Sequence, residues 1–191
     1  MCNGELKQLN SRKAPTLNVL NYFKIIKHKT GDLFALTCES TSHILNLDEK
    51  TQIKLRKLGQ YIGIIYQLSD DLIDFNNTQN IGKKNNEDIN NGLITLPVIL
   101  LLQKKTKNEQ IKYLKLIQSK ALAPIVLNEL KKETKNNEIE NKIIQIISKY
   151  NHKIKKLMKK ISEKNNNVEE LLTIINNRIK NNKKEVKNEN S

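Results

Sequence analysis

One long apolar segment carries a regular row of polar side chains, and it reads Gly59-Gln60-Tyr61-Ile62-Gly63-Ile64-Ile65-Tyr66-Gln67-Leu68-Ser69-Asp70-Asp71-Leu72-Ile73-Asp74-Phe75. Gln67, Asp70, Asp71 and Asp74 fall at positions i, i+3, i+4 and i+7, a spacing that places them on one face of an α-helix. The remaining side chains are mostly apolar, as in a buried helix. The segment from Asp48 to Phe75 is therefore predicted to be a single long helix with an acidic stripe near its end.

The three carboxylates of this stripe need a positive partner. Like charges one turn apart destabilise a helix by roughly 0.2–0.5 kcal/mol when solvated, and by more when they are buried. Mg²⁺ prefers carboxylate oxygens and is commonly held by one or two of them together with water and phosphate oxygens. One hypothesis is therefore a metal–diphosphate site that faces a cavity. The alternative is a solvated polar face on which Asp70 and Asp71 pair with lysines.

The rest of the chain predicts an all-α fold. Its 191 residues include only 6 Gly and 3 Pro, and no segment alternates apolar and polar residues as a strand does. An amphipathic helix is predicted over Leu17 to His28, and its apolar side is predicted to carry Leu17, Leu20, Phe23 and Ile25. After a helix break at Gly31, a second helix is predicted over Asp32 to Ser40, and a polar loop follows over Glu39 to Asn46.

The second half of the chain continues the helical pattern. Leu96 begins a helix with Pro97 in its first turn, where the missing N–H does no harm. Ile139 to Ile161 marks a long apolar stripe at helical spacing, and Val168 to Ile179 is predicted to be the last helix. Residues 1–180 are therefore expected to form one helical domain, and the polar residues 181–191 are expected to be a disordered tail.

The positive charge is concentrated in the second half of the chain. Residues 1–100 carry 12 basic and 10 acidic side chains, whereas residues 101–191 carry 22 and 10, and the whole chain has a formal charge of +14. Such an excess raises the hypothesis of a nucleic-acid-binding module built on the lysine-rich segments Lys153 to Lys164 and Arg178 to Lys187. Aromatic residues make up only 4% of the chain, and no nucleic-acid-binding motif is present. These segments are therefore interpreted as a solvated face, and no nucleic-acid partner is expected.

Composition also predicts the compartment. Two cysteines, Cys2 and Cys38, cannot build a disulfide framework, and no stretch reaches the roughly 18–20 apolar residues of a membrane span. The start of the chain lacks the apolar core of a signal peptide. The heavy use of Lys, Asn and Ile is typical of AT-rich coding sequences in reduced bacterial and organellar genomes. We expect a soluble protein of the plastid stroma or of a bacterial cytoplasm.

Two short clusters have the chemistry to bind a phosphate. Lys29-Thr30 sits at the predicted break before Gly31, where a cation, a hydroxyl and free backbone donors would face an anion. Gly82-Lys83 follows the carboxylates, where a flexible backbone and an ammonium group would close over a phosphate. Each pair alone is common on protein surfaces, so neither identifies a site without the other.

The order of these motifs resembles a known family. Lys29-Thr30, then Gln67 to Asp74, then Gly82-Lys83, then Thr95-Leu96-Pro97 is similar to the second half of the trans-isoprenyl diphosphate synthases, also called the polyprenyl synthetase family. The resemblance covers about Gly4 to Leu102. It implies an isoprenoid-synthase-type helical bundle that lacks its N-terminal helices.

The resemblance also implies an activity and a set of site residues. The family condenses isopentenyl diphosphate head-to-tail with an allylic diphosphate, and Mg²⁺ assists the loss of diphosphate. The metal ligands would be Asp70 and Asp74, with Asp71 ligating or holding a metal-bound water. The remaining site residues would be Lys29 and Lys83 on the allylic diphosphate, Thr30 beside the carbocation and Gln67 facing the reacting carbon.

Part of the family pattern is missing. The family's first aspartate-rich motif and its isopentenyl diphosphate site precede the equivalent of Gly4. The region that usually limits product length is also missing, so the sequence does not predict the length of the product. Three explanations for the missing half remain open. The chain is part of a split enzyme completed by another polypeptide, or it is a non-catalytic or degenerate subunit that partners a complete synthase, or the first residue of the coding sequence has been assigned too far downstream. Helices that normally pack on the missing half would expose their apolar faces, and large exposed apolar faces usually bind a partner. We therefore expect a homo- or hetero-oligomer with a polypeptide that supplies the missing half.

Overall fold

The computed structural model describes residues 15–76, 89, 92–119, 130 and 138–162. These residues form helices joined by turns, and none of them lies in a strand, so the all-α prediction is confirmed. The helices are α1 (Val19–Ile26), α2 (Asp32–Ile44), α3 (Glu49–Asn76), α4 (Leu96–Leu102), α5 (Lys107–Gln118) and α6 (Glu138–Ser162), and a π-helical turn (Lys27–Gly31) joins α1 to α2.

The chain divides into two compact units. Of the described residues, 26–69 and 146–162 belong to the first unit, and 15–25, 70–76, 89, 92–119, 130 and 138–145 belong to the second. Large, fully buried side chains include Leu55, Leu58, Leu68 and Ile154 in the first unit, and Leu72, Leu96, Ile99, Leu102, Ile117, Leu130 and Ile143 in the second. The predicted helix from Val168 to Ile179 and the predicted tail 181–191 lie outside the described residues.

Helix α3 begins where the sequence predicts. The carboxylate of Asp48 accepts hydrogen bonds from the backbone N–H of Thr51 at 3.1 Å and from its hydroxyl at 2.6 Å. The bond from the Thr51 N–H satisfies one of the backbone donors that have no hydrogen-bond partner within the first turn of a helix. Helix α4 likewise begins at Leu96 with Pro97 in its first turn.

The predicted polar loop from Glu39 to Asn46 is wrong, because α2 continues to Ile44. The hydroxyls of Thr37 and Thr41 each donate to the carbonyl four residues earlier, at 3.0 and 2.9 Å. Ser42 is fully buried, and its hydroxyl donates to the carbonyl of Glu39 at 2.6 Å. Hydroxyl groups that bond to the helix backbone let polar residues remain helical, which a count of apolar residues does not reveal.

The predicted helix break at Gly31 is also wrong. Gly31 has helical dihedral angles, φ −59° and ψ −41°, and the backbone N–H of Asp32 donates to the carbonyl of Lys27. This bond spans five residues, which is the π-helical pattern and is frequent at functional sites. The chain therefore passes from α1 to α2 through one widened turn, and the Asp32 N–H is used within the helix.

The apolar face of α1 is rotated away from Leu20. The buried side chains of this helix are Tyr22, Ile25 and Ile26, whereas Leu20 is 73% exposed. Leu20 precedes Tyr22 by two residues, which is a rotation of about 200° around a helix. The predicted apolar side is therefore confirmed for Ile25 and wrong for Leu20.

Two glycines of α3 allow close contact with α2 and the π-helical turn. A Cβ atom on Gly63 would lie 2.8 Å from the Cα of Gly31 and 3.0 Å from the carbonyl oxygen of Thr30. A Cβ atom on Gly59 would lie 2.3 Å from the carbonyl oxygen of Phe34. The distances of 2.8 and 2.3 Å are too short for any side chain, and the atoms met are backbone atoms that move only with their helix. Glycine is therefore required at both positions by packing.

We expect the substitution Gly63→Ala to destabilise the protein by about 1–3 kcal/mol, because the added methyl group overpacks the contact with Gly31. In an unconstrained helix the same change stabilises by roughly 0.5–1 kcal/mol, so the sign of the effect identifies the contact. Denaturant unfolding measures the change. Ser148→Ala, at an exposed position of α6, serves as the control and should be neutral or slightly stabilising. A stabilised Gly63→Ala variant would contradict the contact.

Candidate functional site

The π-helical turn presents Thr30 to the middle of α3. The hydroxyl of Thr30 donates to the side-chain carbonyl oxygen of Gln67 at 2.8 Å, and both side chains are half-buried. Lys29, the neighbouring residue of the same turn, is also half-buried. Two residues predicted to belong to the site, Thr30 and Gln67, are therefore brought together within the first unit, and Lys29 precedes Thr30 in the same turn.

A carboxylate braces this turn against α3. Oδ2 of Asp32 lies 2.8 Å from Nδ1 of His28, and Oδ1 accepts a hydrogen bond from the amide of Gln60 at 3.0 Å. Partial burial of Asp32 opposes its ionisation, but the hydrogen bonds from His28 and Gln60 outweigh that cost and hold the pKa of Asp32 below its ordinary value. The ionised carboxylate of Asp32 therefore links His28, in the π-helical turn, to Gln60 in α3.

The three carboxylates of α3 lie in different surroundings. Asp70 is exposed, Asp74 is half-buried and Asp71 is only 3% exposed. Oδ2 of Asp71 accepts a hydrogen bond from the hydroxyl of Tyr22 in α1 at 2.5 Å. Asp71 is rotated by about 100° from Asp70 around the helix, which places it towards the interior of the second unit. The acidic motif therefore supplies one buried carboxylate and two that are more accessible.

The accessible pair is the part of the motif that fits a metal. Within the part of the chain that the structure describes, no three His, Cys, Asp or Glu side chains form a group that would hold a metal ion. Asp70 and Asp74, one helical turn apart, nevertheless match the one or two carboxylates with which proteins hold Mg²⁺ when phosphate and water oxygens complete the shell. The donor set fits Mg²⁺ bound together with a phosphate compound.

The predicted phosphate loop lies outside the described residues, and so does Lys83. The structure does describe the segment that follows this loop. Gly92 has a positive φ of 72°, which suits glycine in a turn. Thr95 is buried and immediately precedes α4.

Four side chains of this region were missed by the sequence analysis. His28 and Asp32 are four residues apart in one helical stretch, and that spacing was a readable signal for a side-chain pair. Gln60 lies two helical turns before Gln67, so it shares the face of α3 that meets the π-helical turn. Tyr22 gave no signal, because its partner Asp71 is distant in the chain and only tertiary packing joins them.

Solved structures of prenyl diphosphate synthases share this fold. The heptaprenyl diphosphate synthase from Staphylococcus aureus superposes with a TM-score of 0.74 at 25% identity, and the match covers 94% of this chain and 55% of that one. A geranylgeranyl pyrophosphate synthase from Bacteroides thetaiotaomicron gives a TM-score of 0.72 at 28% identity, covering 82% and 52%. The helices described above therefore form the all-helical fold of prenyl synthases.

The sequence comparisons give the family. The family described as Polyprenyl synthetase matches residues 1–134. The heptaprenyl diphosphate synthase component 2 of Bacillus subtilis is 31% identical over 133 residues, and a prenyl transferase of Porphyra purpurea is 27% identical over 109 residues. The chain belongs to the polyprenyl synthetase family, as its motif order predicted.

The match is partial in length. The aligned part covers 38% of the Bacillus subtilis relative and 34% of the Porphyra purpurea relative. The chain therefore spans between a third and two fifths of these curated relatives, and about half of the solved structures above. Among the described helices, none is long and apolar enough to cross a membrane.

We expect Tyr22→Phe to lower the free energy of unfolding by about 1–3 kcal/mol, because it removes a donor from the buried carboxylate of Asp71. Thermal and denaturant unfolding measure the loss. Tyr66→Phe removes a hydroxyl from a tyrosine that is 39% exposed and should change stability by less than about 0.5 kcal/mol. Equal effects of the two substitutions would show that the hydrogen bond to Asp71 does not stabilise the fold.

The brace at Asp32 predicts a pH dependence. A carboxyl group whose pKa is lowered by folding stabilises the native state above its ordinary pKa of about 4, and that contribution is lost as the pH falls through the lowered value. The destabilisation caused by Asp32→Asn should therefore be larger at about pH 7 than at about pH 3. Denaturant unfolding at both pH values measures it, with Glu49→Gln, at an exposed position of α3, as the control. A loss for Asp32→Asn that does not shrink in acid would contradict the brace.

Proposed function

We propose that this chain supplies the part of a prenyl diphosphate synthase that binds the metal and the allylic diphosphate. The reaction is the head-to-tail condensation of isopentenyl diphosphate with an allylic diphosphate. The observation that carries the proposal is the Thr30–Gln67 hydrogen bond beside Lys29, found in a chain whose family is named for prenyl synthesis.

The proposed ligands of Mg²⁺ are Asp70 and Asp74. When bound, Mg²⁺ would neutralise charge on the diphosphate leaving group. The carboxylate of Asp71 is held by Tyr22, so we assign it the indirect role of supporting this end of α3 and the metal-bound water. This assignment gives the three aspartates of the motif unequal tasks.

The proposed substrate contacts divide between two kinds of side chain. Lys29 binds the diphosphate as a point charge, and Lys83, which lies outside the described residues, has the same proposed role. Thr30 places an oxygen beside the positive charge that develops when diphosphate leaves. Gln67 faces the reacting carbon, and the hydrogen bond from Thr30 fixes the orientation of its amide.

We propose a further polypeptide as the partner, in a homo- or hetero-oligomer. The relatives from Bacillus subtilis and Geobacillus stearothermophilus are named as component 2 of heptaprenyl diphosphate synthase, a name that indicates a second component for those proteins. Helix α2 exposes Leu33, Leu36 and Ile44, which are 42%, 57% and 80% accessible. An apolar face of this kind suits burial against a polypeptide that supplies the remaining length of the family.

We propose the plastid stroma or a bacterial cytoplasm as the compartment. The composition supports both, and so do the relatives from the red alga Porphyra purpurea and from Bacillus subtilis. The buried thiol of Cys38, whose pKa burial raises to about 11, suits a reducing environment because it needs no disulfide partner.

The direct test is turnover of radiolabelled isopentenyl diphosphate with an allylic primer and Mg²⁺. The chain is assayed alone and together with any separately encoded polypeptide that supplies the rest of the family's length. We expect prenyl product in at least one of the two conditions. Absence of product from both would refute prenyl transfer.

Substitution of the proposed metal ligands gives the matched prediction. Asp70→Ala and Asp74→Ala should each lower turnover at least about a hundredfold, because each removes a group worth several kcal/mol of charge stabilisation in the transition state. Glu49→Ala, at an exposed position near the start of the same helix, is the control and should leave turnover within about twofold. An active Asp70→Ala variant would remove that residue from the metal set.

The alternative is a non-catalytic or degenerate subunit that partners a complete synthase, which the two-component naming of the relatives favours. Binding of Mg²⁺ and inorganic diphosphate distinguishes the catalytic chain from the non-catalytic subunit. Mg²⁺ with inorganic diphosphate at about a hundred times its dissociation constant should stabilise a binding-competent chain by about 2.7 kcal/mol, seen as a raised melting temperature. An unchanged melting temperature would support the non-catalytic subunit.

A further inference from the structure

One stretch of α6 carries positive charge without any acidic residue. Between residues 141 and 162 the sequence contains no Asp or Glu. Six lysines of this stretch are exposed and belong to the first unit. Nζ of Lys153 lies 4.8 Å from the ring centroid of Tyr150 and 5.6 Å from that of Tyr61, so this lysine contacts aromatic rings of the protein itself. We call the other five the lysine face, and they are Lys149, Lys155, Lys156, Lys159 and Lys160. No described helix of comparable length has so many like charges with no opposite charge between them.

The lysine face lies opposite the buried side of the helix. The side chains of Ile147, Ile154, Met158 and Ile161 are at most 8% exposed and form a stripe along α6. At about 100° per residue, the five lysines fall within an arc of about 140° centred away from that stripe. The core therefore occupies one side of α6, and the lysines form a row about 17 Å long on the other side.

We propose that the lysine face docks the protein on an anionic lipid surface. A row of ammonium groups on one side of a helix matches a plane of negative headgroups, and each lysine near such a surface contributes to binding. Lysine is a hydrated point charge that needs no fixed geometry from its partner. Charge complementarity between the row and the plane thus identifies the partner.

The same geometry disfavours nucleic acid. The major groove of DNA is about 12 Å wide and receives a helix that is free on most of its circumference, whereas α6 is fixed to the core along its apolar stripe. The lysine face contains no arginine, the side chain that most often reads bases. The preference for lipid also rests on the proposed function, because a prenyl chain is hydrocarbon and leaves water for a bilayer.

The docking is electrostatic. Among the exposed large apolar side chains of the described residues, Ile144 alone belongs to α6, and it precedes the lysine face. Without an apolar side chain to insert, binding depends on charge and is weakened by salt, because the screening length falls from about 10 Å at 0.1 M to about 3 Å at 1 M.

The test is cosedimentation of the full chain with vesicles, without Mg²⁺ or diphosphate. Neutral phosphatidylcholine vesicles are compared with vesicles in which about a third of the lipid is phosphatidylserine. We expect binding to the anionic vesicles at about 0.05 M salt, release at about 0.5 M salt and no binding to the neutral vesicles. Binding to both vesicle types, or to neither, would overturn the proposal.

Two variants with equal charge loss locate the surface. The lysine-face variant replaces Lys149, Lys155, Lys156 and Lys160 with Gln. The control variant replaces four exposed lysines of other helices with Gln, at Lys50, Lys57, Lys107 and Lys115. Each lysine of the face is worth about fivefold in affinity, so the first variant should bind at least about a hundredfold more weakly and the control less than tenfold. Equal losses would show that net charge alone drives binding.

Two further measurements complete the test. The single change Lys156→Glu should weaken vesicle binding about tenfold or more, and it replaces the fourfold variant if that variant fails to fold. A DNA duplex that binds more tightly than the vesicles, and only through the lysine face, would overturn the proposal in favour of nucleic acid. Because vesicle binding is measured without substrate, failure of prenyl transfer leaves this result unaffected, and failure of docking leaves turnover on soluble substrates unaffected.

Discussion

The backbone contact between Gly63 and Gly31 is the constraint on which the candidate site depends. A Cβ atom on Gly63 would lie 2.8 Å from the Cα of Gly31, so α3 and the π-helical turn touch without a side chain between them. Two hydrogen bonds flank this contact: Thr30 donates to Gln67, and Gln60 donates to Asp32. Gln60 and Gln67 are two helical turns apart on one face of α3. The contact thus sets the register of the turn that carries Lys29 and Thr30 against that face.

The acidic motif shows how one sequence pattern serves both structure and chemistry. Asp71 is buried and accepts a hydrogen bond from Tyr22, whereas Asp70 and Asp74 are more accessible. A buried carboxylate with a hydrogen-bond donor stabilises the native state relative to one without it. The remaining two carboxylates match the small number that Mg²⁺ uses when a phosphate compound completes its shell. A motif of three aspartates therefore need not be a set of three ligands.

Local patterns explain which features the sequence predicted. The length of α3, the shared helix of Gln67 and the aspartates and the start of α4 follow from periodicity and from proline position, which are properties of short segments. The π-helical turn and the extension of α2 to Ile44 depend on hydroxyl and backbone hydrogen bonds that hydrophobic spacing does not encode. The sequence shows that Gly59 and Gly63 lower the stability of an isolated helix. It does not show why glycine is needed there, because the backbone that packs against each of them belongs to a distant segment of the chain. The hydrogen bond between Tyr22 and Asp71 likewise joins residues that are distant in the sequence, so local patterns do not predict it.

The coupling between Thr30 and Gln67 tests the account most directly. A double-mutant cycle with Thr30→Val and Gln67→Leu is measured by titration calorimetry of an allylic diphosphate with Mg²⁺. We predict that each substitution weakens binding and that the double variant binds no more weakly than the worse single variant, with a coupling free energy of about 0.5–3 kcal/mol. Additive losses, or binding unchanged by either substitution, would contradict the claim that this pair acts as one unit in recognising the substrate.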